Sequence, residues 1–333
     1  MVRFAVLGAG RIGQVHAGAI ASVKGAKLVA VADPVEAAAQ ALRTEYGCDI
    51  RTIDQIAASD DVDATVICTP TSTHADLIEQ FCRAGKAVFC EKPIDLNLAR
   101  VRDCLRVVEE TNGTLMVGFN RRFDPDFAAL RAAIDAGQIG TVEMVTLTSR
   151  DPAPPHYDYF PTSGGIFRDM TIHDFDVARW MLGEEVETVQ AAASVLTDPK
   201  IGEWGDYDSV NVILKTASGK QATITNSRRA SYGYDQRIEV HGALGAASAR
   251  NTHTANIEIA TASGYQRPPL LDFFMTRYKT AYAAEIAAFV ETLTQGMPAH
   301  PTGHDGMMAL ALAEAAVKSV AEVRVVAMSE ILG

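Results

Sequence analysis

At 333 residues, with 48% hydrophobic and 21% charged side chains, the chain is long enough for about two domains, each able to bury its own apolar core. A formal charge of −11 argues against a partner bound through phosphate counterion release, so no nucleic acid is expected. The opening MVRFAVLGAG lacks the basic lead and cleavage site of a signal peptide, and no apolar run approaches the roughly 20 residues that span a bilayer, so the reading is a cytoplasmic protein without membrane contact.

The first 120 residues alternate two periodicities. Short β-branched runs at 3–7, 28–32, 64–68, 87–90 and 115–117 are interleaved with helical stretches at 35–46, 73–84 and 97–111. This rhythm predicts a doubly wound, mainly parallel sheet over residues 1–120. Beyond it come a helix at 124–136, the strand VEMVTLTSR, a proline-rich loop DPAPPHYDYFP and a helix opening at GGIFRDMTIHDFD. Two hairpins follow, turning at 217–219 and near 242–245, and two helices at 278–294 and 304–322 close the chain. Residues 121–333 therefore read as a second, α+β domain with an open, mainly antiparallel sheet, the last helix packing back on the first domain. Cys48, Cys68, Cys82, Cys90 and Cys104 are odd in number, form no C-x-x-C pair and sit in apolar runs, so they read as reduced core thiols. No histidine pattern has zinc spacing, and no metal is expected.

Two features carry chemistry. VRFAVLGAGRIG puts Gly8, Gly10 and Gly13 between a buried strand and a helix. Gly8 permits the tight turn, Gly10 lets the backbone approach a pyrophosphate, and Gly13 lets helix and strand pack closely. Arg11 and Ile12 lie at the helix start, where unpaired N–H groups face the phosphates. Asp33 follows 20 residues after Gly13, the place of a ribose-binding acid. Its charge would repel a 2′-phosphate by up to ~4 kcal/mol at ~4 Å, which favours NAD over NADP, with Arg11 partly offsetting that preference. Thr69, Pro70 and His74 of CTPTSTH, and Glu91 and Lys92 of CEKP, follow later strands at the carboxyl edge of the sheet, where ligands bind in such folds. In the second feature, helical spacing puts Asp169, His173 and Asp176 on one face and Ile172, Phe175, Ala178 and Leu182 on another. By itself such a polar stripe most often simply faces water.

GAGRIG, CTPTSTH, CEKP and GGIFRDMTIHDFD, in this order and spacing, resemble the Gfo/Idh/MocA family of nicotinamide-dependent sugar and polyol oxidoreductases. GFNRRFDPDF, SRDPAPP, SRRASYGYDQRIEVHG and DFFMTRYKTAYAAEIAAFV are similar to the family's inositol-oxidising branch. The resemblance spans essentially the whole chain. It implies NAD-linked oxidation of myo-inositol to 2-keto-myo-inositol, and a homotetramer joined through the second domain's sheet. It further implies that Lys92, Asp169 and His173 are catalytic, and that Asn120, Arg121, Asp151 and Tyr234 line the substrate pocket with them. His173, whose imidazole has an ordinary pKa near 6.5, is the expected general base. Asp169 would orient it and stabilise its cation, and Lys92 would stabilise the developing alkoxide. The rival readings are a dehydrogenase of scyllo-inositol or an aldose on the same catalytic set, and a non-catalytic NAD-binding regulator, which has no need of Lys92, Asp169 and His173 together.

Overall fold

In a computed structural model describing residues 1–333, the alternating N-terminal segments form a six-stranded parallel sheet. Its strands are β1 (Val2–Leu7), β2 (Ala26–Ala32), β3 (Asp49–Ile50), β4 (Ala64–Ile67), β5 (Ala87–Glu91) and β6 (Leu115–Gly118), in the order β3-β2-β1-β4-β5-β6. Strands β4 and β6 are buried at every position, because a parallel sheet carries helices on both faces and so needs apolar side chains on both. The helix Arg11–Ser22 follows the glycine loop, and the crossover helices Glu36–Tyr46, His74–Arg83 and Leu98–Glu110 fall within a residue or two of the periodic stretches. The short strand β3 and the helix Ile53–Ala57 were not expected; both are too brief to show a period. All five cysteines are buried and unbridged.

The chain divides into two compact units, one of Met1–Phe123 with Lys279–Leu310, the other of Asp124–Tyr278 with Ala311–Gly333. In the first, the helix Lys279–Gln295 lies against Arg11–Ser22, and Phe289 meets Phe4 and Phe89 at centroid distances of 6.2 and 5.9 Å.

The second unit holds a seven-stranded sheet. Its strands are β7 (Val142–Arg150), β8 (Val186–Ser194), β9 (Ser209–Thr216), β10 (Gln221–Ser227), β11 (Asp235–Gly242) and β12 (Gly245–Ala249). After a small separate hairpin of β13 (Ile259–Thr261) and β14 (Gly264–Gln266), the strand β15 (Val326–Ala327) completes an order of β12-β11-β7-β10-β9-β8-β15. Every neighbouring pair is antiparallel except β7 with β10. Strict alternation of buried and exposed residues along β9 gives the sheet one covered and one open face, with Met144 and Ile213 about half exposed on the open one. On the covered face lies the helix Ile172–Leu182, fixed by the buried Asp174, which accepts hydrogen bonds from Ser149 Oγ of β7 (2.5 Å) and Asn226 Nδ2 of β10 (2.8 Å).

One expectation about this helix is corrected, and the alternative of a solvated face is set aside. Phe167–Thr171 is a π-helical turn rather than regular α-helix, so Asp169 and His173 are not related by simple α spacing. Asp176 has no solvent exposure, because the sheet and neighbouring loops enclose the helix on most sides; the polar residues do not form a solvated stripe. No helix of the chain is long and apolar enough to cross a membrane.

Candidate active site

In the first unit the three glycines meet three different demands. Gly8 has φ of +92°, and a Cβ there would lie 2.7 Å from Cys68 O. At Gly13 a Cβ would fall 1.9 Å from Gly8 O, so only glycine lets the helix approach the strand. At Gly10 a Cβ would meet nothing within 4 Å: the packing does not require glycine, whereas a ligand lying against the loop would. Gly10 is also the N-cap of Arg11–Ser22 and supplies no side-chain cap, which leaves the first N–H groups for an anion. Exposed Arg11 and half-buried Ile12 begin that helix.

Asp33 follows β2 directly and closes the loop. Its Oδ2 accepts the Ala9 N–H at 2.6 Å and its Oδ1 the Val35 N–H at 2.7 Å. Each oxygen keeps a second lone pair for a ribose hydroxyl. Glycine loop, free helix terminus and acid together fit a dinucleotide.

The two later loops are tied together by His74. It is buried, with Nδ1 2.8 Å from Pro93 O and Nε2 2.8 Å from Thr69 O, so both ring nitrogens face backbone carbonyls. Thr69 and Thr73 share a hydroxyl hydrogen bond of 2.6 Å, and Pro70 between them is exposed. Glu91 closes β5, where its Oε2 accepts the Lys92 N–H at 3.3 Å; Lys92 itself is partly exposed. Asn120 and Arg121 are buried in the short turn Asn120–Phe123 that follows β6.

The second unit carries the other predicted residues. His173 stands in the first turn of Ile172–Leu182, partly exposed, four residues beyond Asp169 of the π-helical turn. Asp169 Oδ1 accepts a hydrogen bond from Tyr159 Oη at 2.8 Å, and Oδ2 accepts from Nη1 and Nη2 of Arg228 at 3.3 Å each. Arg228 is 1% exposed. It lies over the Phe160 ring at 5.3 Å, that ring stacks on Trp204 at 5.2 Å, and Asp206 Oδ2 is 3.7 Å away. Burial, opposed by backbone N–H groups of Ile166 and Tyr207 and by Arg228, pushes the Asp206 carboxyl up from its ordinary range. Asp151 follows β7, its N–H donating to Ser227 O at 3.0 Å. Tyr234 is buried edge-on to Phe273 and Tyr278, each at 6.0 Å.

Sequence reasoning did not find Tyr159, Arg228 or Asp206. Tyr159 lay inside a loop read only as proline-rich, and the Arg-Arg pair after β10 gives no hint of which arginine turns inward.

Two family models match the chain: an oxidoreductase family with an NAD-binding Rossmann fold over residues 2–119, and a GFO/IDH/MocA C-terminal domain over residues 127–248. Inositol 2-dehydrogenase of Rhizobium meliloti is 65% identical, over 98% of this chain and 99% of that protein. A crystal structure of a putative myo-inositol dehydrogenase from Sinorhizobium meliloti superposes with a TM-score of 0.97 at 65% identity, covering 98% of this chain and 100% of that one. Scyllo-inositol dehydrogenase from Lactobacillus casei, solved with bound NAD(H) and scyllo-inositol, gives 0.92 at 29% identity, over 99% of each chain.

Proposed function

Since the chain belongs to the Gfo/Idh/MocA oxidoreductases, with an NAD-binding Rossmann fold at its N-terminus, we propose that it oxidises myo-inositol to 2-keto-myo-inositol. The observation that carries this is end-to-end identity of 65% with an inositol 2-dehydrogenase, in a chain that has Lys92, Asp169 and His173 in the expected order. NAD, when bound, is the hydride acceptor; Gly8, Gly10, Gly13 and Asp33 hold it.

The chain's own residues then have a proton to manage. His173, as neutral imidazole, takes the proton of the reacting hydroxyl. Lys92 stabilises the alkoxide that develops as the proton leaves. Asp169 orients His173 and stabilises its cation. Its own carboxylate is fixed by Tyr159 and Arg228, which moderates its field at the imidazole, since a guanidinium already balances part of that charge. Asn120, Arg121, Asp151 and Tyr234 bind the ring hydroxyls.

A second reading, scyllo-inositol as the preferred isomer, is favoured by the Lactobacillus casei enzyme, whose structure holds that isomer. NADH formation with myo-inositol, scyllo-inositol and glucose tests both. The proposal expects the highest kcat/KM for myo-inositol; a higher value for scyllo-inositol selects the second reading, and glucose as the best substrate removes both. The five buried, unbridged thiols support a reducing, cytoplasmic location. The open sheet face, with Met144 and Ile213 about half exposed, supports assembly into a homotetramer.

A further inference from the structure

Behind the Glu91–Lys92 segment lies a group of ionisable side chains that the proton transfer described above does not use. His16 of Arg11–Ser22 and Glu285 of Lys279–Gln295 have no solvent exposure, and the Glu91 side chain is 12% exposed. His16 Nε2 is 2.7 Å from Glu91 Oε1, and one polar atom of each of the three residues lies within 4.8 Å of the others. The first unit makes room for them. Gly118 pairs with Glu91 across β5 and β6, and a Cβ there would come 3.3 Å from Glu91 Cδ and Oε2. The rings of Phe89 and Tyr282 close edge-on against His16 at 5.1 and 5.5 Å.

One histidine and two carboxylates could hold a metal, but the short contact speaks against it. Two ligands on metal bonds of roughly 2.0–2.2 Å in tetrahedral geometry are separated by more than ~3 Å, whereas 2.7 Å is a hydrogen-bond length and needs a proton between the atoms. Proton count then follows from the partners. Glu91 accepts from the Lys92 N–H and has the His16 ring nitrogen as a second hydrogen-bond partner, so it is the carboxylate equipped to carry charge. Neither oxygen of Glu285 has a hydrogen-bond partner in the protein, and the groups that face it are Glu91 from β5, His16 from Arg11–Ser22 and the Cys68 thiol beyond β4. Two carboxylates this close in a dry site do not both ionise. His16 Nδ1 also has no acceptor, so a second proton on the ring would bury a charged donor without a partner, which costs more than the neutral hydroxyl of a protonated Glu285.

We propose that His16, Glu91 and Glu285 form a buried proton-holding triad of net charge minus one, with Glu285 protonated, His16 neutral with its proton on Nε2, and Glu91 ionised. Glu285 is a positioning residue: as a neutral acid it lets the neighbouring Glu91 keep its charge and its hold on the Lys92 backbone. Burial and the nearby charge of Glu91 act in the same sense, pushing the Glu285 carboxyl well above the usual carboxylate range. The proton count is independent of what Lys92 does; only an effect on turnover rests on the proposed role of Lys92.

The test compares wild type with Glu285→Gln, both saturated with NAD, by urea unfolding between pH 5 and 8. A carboxyl raised on folding takes up a proton, so the stability it allows is full below its unfolded pKa of about 4.3 and is lost as pH climbs toward the folded value. Glutamine has no proton to lose. The folding constant of Glu285→Gln relative to wild type is therefore expected to rise by up to about tenfold per pH unit over this range. A ratio that stays flat means an ionised Glu285 and overturns the proposal. If Glu285→Gln does not fold, infrared spectra of wild type labelled with ¹³C-carboxyl glutamate decide: a protonated glutamic acid band at pH 7.5 supports the triad, and its absence overturns it. Stoichiometric metal in the purified holoenzyme, lost in Glu285→Gln, would also overturn it. For turnover, Glu285→Ala is expected to lower kcat and Glu285→Gln to recover it; equal loss in both removes the positioning role. Absence of inositol oxidation in wild type would remove the substrate reading and leave the pH and infrared results standing.

Discussion

His173 is the residue on which the proposed chemistry turns. His173→Ala is expected to lose the roughly 10²- to 10⁴-fold that a general base contributes, with NADH affinity unchanged because the glycine loop and Asp33 stand in the other unit. Fluorescence titration with NADH and steady-state rates check both halves, and full activity in this variant would transfer the base role to Lys92. For wild type, kcat/KM is expected to fall at low pH, since only neutral imidazole accepts a proton. Asp169→Asn removes a negative neighbour, lowers the histidine pKa and so moves the acid limb of the pH–rate profile to lower pH. Arg228→Lys keeps a cation but loses the two-nitrogen grip on Asp169 Oδ2, and is expected to move the limb the other way as Asp169 acts on His173 less opposed. At the cofactor, Asp33→Ser is expected to weaken NAD binding by roughly 1–3 kcal/mol and narrow the margin over NADP, measured as the ratio of the two kcat/KM values. Gly8 and Gly13 were legible in the sequence because backbone geometry admits few residue types there, and Asp33 because an acid at that spacing after the glycine loop is a signal of its own. Arg228, 59 residues from Asp169, was not: the pairing depends on where a strand end and a loop meet, and no local pattern encodes it.

Among the elements, the strand–helix alternation and both hairpins could be read directly, since each has a period or a turn signal of its own. The parallel pairing of β7 with β10 could not, because two separate segments decide it and neither shows its neighbour. The π-helical turn was also hidden, since Phe167–Thr171 reads as ordinary amphipathic helix. Element junctions offer sharp tests. Gly13→Ala would drive a methyl group into the Gly8 carbonyl, and about 1–3 kcal/mol of overpacking is expected to appear as weaker NADH binding in a titration. Asp124 caps the helix Pro125–Asp135 by accepting from the Asp126 and Phe127 N–H groups, and it is also the buried partner of Arg277. Asp124→Ala removes the cap and strands a guanidinium that is 8% exposed, so a loss of about 3–5 kcal/mol is expected in urea unfolding.

At the scale of the whole molecule, the tetramer is expected to give a light-scattering mass about four times the chain's 35.7 kDa, and a lone chain mass at micromolar concentration would refute it. The division into units has a consequence for the birth of the protein. The first unit is not made in one stretch: the late segment Lys279–Leu310 supplies Phe289 against Phe4 and Phe89. At the roughly 5–20 residues per second of protein synthesis, about 10–40 s separate Phe123 from Leu310 on the ribosome. Throughout that interval the nascent sheet carries an uncovered aromatic flank. Chains stalled at residue 260 are therefore expected to be cut by protease within residues 1–123 and to be held by chaperones, and chains stalled long enough beyond residue 310 for it to clear the exit tunnel to resist. The nucleotide-binding unit, begun at residue 1, is on this reasoning expected to close only once residue 310 has been made.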